Sequence, residues 1–126
     1  MNFKLSTKSQ ANFQGVDERL VNVVRRAIEI TTVDFGVIEG LRTEETQRAY
    51  VAGKPSWELN LYDDIADAMK AAAIAENVPL RWGAAWNVPD ICKWDGTMQA
   101  AMNYYIDERR REGKRPFIDG PHFELA

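Results

Sequence analysis

Three amphipathic stripes set the strongest limit on how this chain of 126 residues can fold. Apolar side chains recur at helical spacing within residues 20–28, 62–73 and 98–106, and Asp17 stands where the first of these helices needs its N-cap. Each stripe has to cover its apolar face, so we predict that the three helices share one core. The residues predicted to be buried together are Leu20, Val24, Ile28, Ile65, Met69, Met102 and Ile106.

The second of these helices carries charged residues beside its apolar face. Asp63, Asp64, Asp67 and Lys70 fall between the apolar positions and are predicted to face water. The composition agrees with a globular protein, because 45% of the residues are hydrophobic and 28% are charged.

The segments between the stripes indicate strands and short helices. Ser6 is placed to cap a first helix that ends near Gly15. Alternating apolar positions and β-branched or aromatic residues predict strands over residues 33–41 and 79–82. Residues 117–125 indicate a turn at Asp-Gly-Pro followed by alternation suited to a strand.

A further helix is predicted from Thr43, which precedes two glutamates, to Gly53, where glycine and a nearby proline stop it. Together these elements predict an α+β fold in which a small antiparallel sheet packs with about four helices. A length of 126 residues suits a single domain.

Charge and residue counts narrow the function classes. Sixteen basic residues against 19 acidic ones give a net charge of −3, which argues against a nucleic-acid partner. One cysteine and one histidine exclude an internal disulfide and zinc-finger spacings. The sequence contains no apolar run of the roughly 20 residues needed to span a bilayer, and residues 1–6 do not resemble a secretory signal. We therefore expect no membrane span and a chain that first remains in the cytoplasm.

The single histidine, His122, is the first candidate for chemistry. It follows an Asp-Gly-Pro turn that begins at Asp119, and Glu124 lies two residues further along the same strand face. A histidine with two carboxylates can supply a metal ligand, a general base and an orienting partner. The alternative is a structural or merely exposed histidine.

Three other side chains are candidates for a substrate cleft. Arg42 follows a predicted strand and precedes a predicted helix, from which it can either reach into a cleft facing His122 or pair with a local carboxylate such as Glu39. Trp82 and Trp86 can line a substrate groove or pack in the core.

Four segments resemble the phage endolysins of the M15 metallopeptidase family, which are L-alanyl-D-glutamate endopeptidases related to D-alanyl-D-alanine carboxypeptidases. Two motifs carry most of the resemblance: Glu-Gly-Leu-Arg-Thr at residues 39–43 and Asp-Gly-Pro-His-Phe-Glu at residues 119–124. The segments, which follow the family's order, are residues 33–43, 65–73, 80–83 and 117–125.

The resemblance implies a zinc-dependent hydrolase of the bacterial cell wall. In such an enzyme two histidines and an aspartate hold Zn²⁺, which activates a water for attack on the peptide bond. By motif position His122 corresponds to the second zinc histidine, Asp119 to the general base and Arg42 to the arginine that stabilises the oxyanion. Glu124 would lie behind the zinc ligand and orient it.

The family's first metal motif, Ser-x-His-x-x-Gly-x-Ala-x-Asp, has no counterpart in this chain. Residues 50–58 run directly through its expected place, so we predict a deletion of about two dozen residues near residues 53–56, including a central strand of the sheet. This chain is therefore predicted not to assemble the family's zinc site. Loss of the strand would leave backbone groups unpaired unless the sheet closes up or another chain fills the gap.

Three functions follow from these observations. The first is a phage endolysin that cleaves the L-alanyl-D-glutamate bond of the peptidoglycan stem peptide and waits in the host cytoplasm until lysis. The second is a catalytically inactive, metal-deficient derivative that serves as a binding or regulatory module. The third is a homo-oligomer formed by strand exchange between chains.

Overall fold

The computed structural model describes residues 3–39, 48–53 and 60–126. Over these ranges the chain forms four helices, a four-stranded sheet and one 3₁₀ turn. The helices are α1 (Thr7–Ala11), α2 (Glu18–Ile30), α3 (Asn60–Glu76) and α4 (Met98–Arg111). The strands are β1 (Phe35–Glu39), β2 (Arg48–Gly53), β3 (Leu80–Trp82) and β4 (His122–Leu125), and the 3₁₀ turn is Ile91–Lys93.

Side-chain caps begin three of the helices. Ser6 accepts a hydrogen bond from the amide of Ser9 at 3.0 Å, and Asp17 accepts one from the amide of Arg19 at 2.9 Å. Thr97 caps α4 in the same way. The caps predicted at Ser6 and Asp17 are confirmed, although α1 ends at Ala11 rather than near Gly15.

Among the helices described, none is long and apolar enough to cross a bilayer.

The sheet has the order β1-β2-β4-β3, and each neighbouring pair is antiparallel. Strand β2 lies between β1 and β4, with Gly53 opposite Phe35 and Tyr50 opposite His122. The prediction of a helix that runs to Gly53 is wrong for residues 48–53, which form this strand. The physical reason is that β2 obtains backbone partners from two other strands, and tertiary pairing overrides a local helix signal. Residues 40–47 lie outside the described residues.

The final strand follows the predicted turn. His122–Leu125 pair as a strand, and residues 117–121 before it form a connection and turn. The amide of Phe117 donates to the hydroxyl of Tyr105 at 3.0 Å, and the amide of Asp119 donates to the carbonyl of Gly83 at 2.9 Å. These bonds hold the connection and the turn in place ahead of β4.

The core joins α2, α3, α4 and the sheet. Helices α2 and α3 pack on each other, and α3 also contacts α4. Five of the seven residues predicted to be buried together are in this core: Leu20, Val24, Ile28, Ile65 and Met69. The prediction was wrong for Met102 and Ile106, which are only half-buried because they line a cavity at the edge of the core.

Asp63 departs most from its predicted environment. It was expected to face water, but it is only 5% exposed, whereas Asp64 next to it is exposed. Burial raises the pKa of Asp63 to about 6, and the negative charges of Asp67 and Asp64 contribute in the same direction. Residues of α4 and of the turn before β4 surround the same cavity as Asp63, and their approach accounts for its burial.

Replacing Asp63 by asparagine should stabilise the protein at neutral pH. The pKa of Asp63 is higher in the folded chain than its ordinary value of 3.8, so the folded state binds a proton more tightly than the unfolded state. The destabilising effect of the carboxylate is therefore complete above pH 6 and fades as the pH falls from about 6 to 4. We expect D63N to melt about 2–6 °C higher than the unmodified chain at pH 7.5, and this difference to shrink below pH 5.

Thermal unfolding followed by circular dichroism between pH 4 and 8 measures this effect. D64N, which changes an exposed aspartate on the same helix, is the matched control and should shift the melting temperature little at any pH. A melting temperature of D63N equal to or below that of the unmodified chain at pH 7.5 would contradict this interpretation of Asp63.

Candidate functional site

Strand β4 positions the histidine and one of its carboxylates. Successive side chains of a strand alternate between its faces, so His122 and Glu124 share one face while Phe123 points to the other. Phe123 is fully buried and stacks on Trp82, with ring centroids 6.3 Å apart. Burial of Phe123 therefore determines which way the histidine points.

The imidazole of His122 lies between two carboxylates. Its Nε2 is 2.5 Å from Oε1 of Glu124, and its Nδ1 is 3.9 Å from Oδ2 of Asp119. The imidazole is almost fully buried, whereas the side chains of Asp119 and Glu124 are 22% and 29% exposed. A carboxylate against one ring nitrogen sets the tautomer and orientation of a histidine, and solvent-accessible carboxylates can exchange protons with a bound molecule.

Gly83, at the end of β3, holds the turn that carries Asp119. Its amide donates to the carbonyl of His122 at 2.9 Å, and its carbonyl accepts from the amide of Asp119 at 2.9 Å. A Cβ at this position would lie 2.3 Å from the carbonyl oxygen of Asp119 and 2.8 Å from the Cβ of His122. Only glycine allows this approach of the two backbones, so Gly83 fixes the distance between the turn and β3.

Trp86 and Arg81 form a wall beside the histidine. The ring centroid of Trp86 is 5.1 Å from that of His122 and 6.2 Å from that of Phe117. The guanidinium of Arg81 lies 5.1 Å from the ring centroid of Trp86 and donates to its carbonyl at 2.6 Å. The structure thus places Trp86 against His122, next to a cation that sequence reasoning missed, and the role of Trp86 in a substrate groove remains a prediction. The sequence feature that could have revealed Arg81 is the alternation of side chains over residues 80–82, which directs Arg81 away from the face of Leu80 and Trp82.

Trp82 packs in the core. It is fully buried, and its Nε1 donates to the carbonyl of Gly120 at 2.8 Å. This bond is a second connection between β3 and the turn before β4, in addition to the backbone hydrogen bonds of Gly83. Core packing was the alternative considered for Trp82, and its role in lining a substrate groove remains a prediction.

The other predicted site residues divide into two groups. The structure brings Asp119, His122 and Glu124 together, but the catalytic and metal-binding roles assigned to them remain predictions. Arg42 lies outside the described residues, so its expected position facing His122 also remains a prediction. Over residues 3–39, 48–53 and 60–126, histidine, cysteine, aspartate and glutamate side chains form no group of three that could hold a metal ion.

Comparisons with known proteins point to one family. A sequence profile of the phage L-alanyl-D-glutamate peptidases matches residues 1–52. The L-alanyl-D-glutamate peptidase of Escherichia phage T5 is 27% identical over 154 aligned positions that cover all of both chains. The crystal structure of the L-Ala D-Glu endopeptidase ChiX of Serratia marcescens matches with a TM-score of 0.66 and 25% identity, over 99% of this chain and 91% of ChiX. The predicted α+β fold is confirmed.

The alignment with the T5 protein also reveals a length difference. It spans 154 positions, 28 more than the 126 residues of this chain. Because the alignment covers both chains completely, the T5 protein has residues at positions where this chain has none. The predicted location of a deletion, near residues 53–56, remains a prediction.

Replacing Gly83 by alanine should disturb the candidate site through its backbone. The added methyl group would force Asp119 and His122 away from β3, so both backbone hydrogen bonds of Gly83 would lengthen. We expect a loss of about 1–3 kcal/mol in the free energy of unfolding and a shift of the His122 ring signals. Urea unfolding and NMR of the single histidine measure these effects.

G113A is the control for this substitution. Gly113 has a positive φ of 73° but open space around its Cβ position, so its substitution should cost about 1 kcal/mol through the backbone alone. The His122 signals should stay unchanged in G113A. A G83A variant with normal stability and normal His122 signals would show that the close approach does not shape the site.

Proposed function

We propose that this chain, a relative of the L-alanyl-D-glutamate peptidases along its whole length, acts on the stem peptide of peptidoglycan. The polar group of Asp119, His122 and Glu124 would contact that peptide. The observation that carries the proposal is the convergence of two carboxylates on one imidazole, at a turn held by Gly83. The substrate class comes from the relatives, whose names specify the L-alanyl-D-glutamate bond.

Each residue of the group has a separate part in this proposal. Glu124 orients the imidazole through its contact at Nε2. His122 and Asp119 then handle protons at the other side of the ring, where Asp119 is accessible to a bound peptide. Arg81, stacked on Trp86, supplies positive charge beside the group and can attract the carboxylates of a stem peptide.

The donor set of this chain does not fit the zinc site that the family resemblance implies. That site takes two histidines and one aspartate, and this sequence contains one histidine. The Nε2 of His122 is already in contact with Glu124, at 2.5 Å. We infer that residues 1–126 form one peptidase-like domain from which the first metal motif is missing near residues 53–56, and we assign no step of the reaction to zinc.

Binding without cleavage is the second candidate function. The specific observation in its favour is the single histidine, because a catalytic zinc site normally needs three protein ligands. A chain of this kind would keep the peptide-binding wall of Trp86 and Arg81 and would serve as a binding or regulatory module. In either case the site of action is the bacterial cell wall, reached from the host cytoplasm at lysis.

Strand exchange between two chains is not needed to complete this sheet. Strand β2 pairs with β1 and β4 of the same chain, so the neighbours of β4 are both supplied in cis. We propose a monomer as the acting form, and size-exclusion chromatography at several concentrations checks it.

A stem peptide that contains the L-alanyl-D-glutamate bond tests the proposed function with two measurements. Binding is measured by calorimetry, and cleavage by chromatography of the products with and without added zinc. We expect H122A to weaken binding about tenfold, because it removes a buried, charge-assisted contact. D107N, a change of an exposed aspartate on α4, is the control and should bind as the unmodified chain does.

The outcomes separate the two candidates. Cleavage that falls by about a hundredfold or more in H122A supports the endopeptidase. Binding that depends on His122 without any cleavage supports the binding module. Absence of binding, or binding that H122A leaves unchanged, contradicts the proposed site.

A further inference from the structure

A cavity of about 360 Å³ lies between α3, α4 and the turn before β4. Its walls are largely apolar and include Trp82, Met102, Ile106 and Ile118. Ile118 is 44% exposed and marks the mouth of the cavity. Asp119, His122 and Glu124 are not among the residues that line it, so the cavity is separate from the polar group described above.

One carboxylate stands in this apolar wall. Asp63 lines the cavity, is 95% buried, and its Oδ1 has no hydrogen-bond partner among the described residues. A buried carboxylate oxygen without a donor is costly, and such a group in a native structure calls for an explanation. A ligand that brings its own donor into the cavity would supply the missing bond.

We propose that this cavity binds a small organic ammonium ion whose apolar body fills the space between α3 and α4 and whose charged nitrogen donates to Asp63. The proposal goes beyond the peptidase function and does not depend on it. The ligand class follows from two features of the walls, a single buried carboxylate and otherwise largely apolar side chains, with Tyr62 beside them.

The electrostatics favour a cation over a neutral ligand. The carboxylates of Asp64 and Asp67 on α3 add negative potential near Asp63, as their effect on its pKa indicates. The residues that face Asp63 from α4 and from the turn are uncharged, and they include Met102, Ile106 and Ile118. An ammonium ion would therefore meet one strong acceptor and no competing cation among the residues that line the cavity.

The size and chemistry of the cavity exclude two other ligand classes. A cavity of about 150 Å³ lined by aliphatic and aromatic groups already accepts benzene, so a ring-sized body fits here. A divalent cation such as Ca²⁺ requires roughly six to eight oxygen ligands, whereas Asp63 is the one carboxylate among the residues that line the cavity. A purely apolar ligand would fill the space but leave Oδ1 of Asp63 without a donor.

Benzylamine and benzyl alcohol test the proposal as a matched pair of probes. They have nearly the same shape, but only benzylamine is a cation at pH 7. We expect the unmodified chain to prefer benzylamine by roughly tenfold or more in Kd, because a charge-assisted hydrogen bond to a desolvated carboxylate is the stronger one. D63N should lose this preference, whereas D64N should keep it. Titration calorimetry gives the affinities.

NMR and a second variant show whether the probes bind inside the cavity. NMR shifts of the Met102 methyl and the Trp82 indole locate the bound probe. I106F, which puts a larger side chain into the wall of the cavity, should weaken both probes without changing their ratio. This variant serves as the test if D63N does not fold.

Three results would overturn the proposal. The first is equal affinity of the unmodified chain for the two probes, which includes no binding of either. The second is an amine preference that persists in D63N. The third is a set of NMR shifts that falls outside the cavity walls.

Discussion

The pairing of β4 on both of its edges is the constraint on which the rest of this structure depends. A buried strand needs partners for the amide and carbonyl groups on each side, and β4 finds them in β2 and β3. Since β4 carries His122 and Glu124, the same ladder that completes the sheet also sets where the imidazole lies. Gly83, which follows β3, also positions Asp119, because its two backbone hydrogen bonds hold the turn that carries this residue. The geometry of the candidate site is therefore a consequence of strand pairing in the sheet.

The pairing of strands within one chain also explains how the sheet forms although this chain is shorter than the T5 protein. The sequence lacks the family's first metal motif, and a central strand was expected to be lost with it. Strand β2 occupies a central position in the sheet and contacts both β1 and β4. Residues 48–53 thus provide the pairing that β4 requires, and no backbone contribution from a second chain is needed there.

Local signals predicted the helices well, and non-local pairing accounts for what they missed. The caps at Ser6 and Asp17 and the apolar stripes of α2, α3 and α4 act within a few residues, so a single sequence reveals them. Strand β2 was mistaken for the end of a helix because its stability comes from partners far away in the chain. The burial of Asp63 was missed for a related reason: α4 and the turn before β4 close over it, and neither is visible from the helix itself.

The candidate site was predictable to a similar extent. The alternation of a strand sufficed to place His122 and Glu124 on one face, and the short spacing to Asp119 brought the third group near. Trp86 reaches the histidine through a turn whose path no pattern in residues 83–95 indicates, and Arg81 on β3 contacts the ring of Trp86. The core position of Trp82 depends on Phe123 and Gly120, which lie about forty residues later in the chain.

Zinc content is the most direct test of the claim that this chain keeps the peptidase fold and its polar group without the family's zinc site. The purified protein would be dialysed against trace zinc, passed through a desalting column, and analysed for metal and protein together, beside H122A. We expect far less than one zinc per chain and no difference between the two proteins, because a single histidine with two carboxylates is a poor match for a site with three protein ligands. One zinc per chain that survives desalting and disappears in H122A would contradict it.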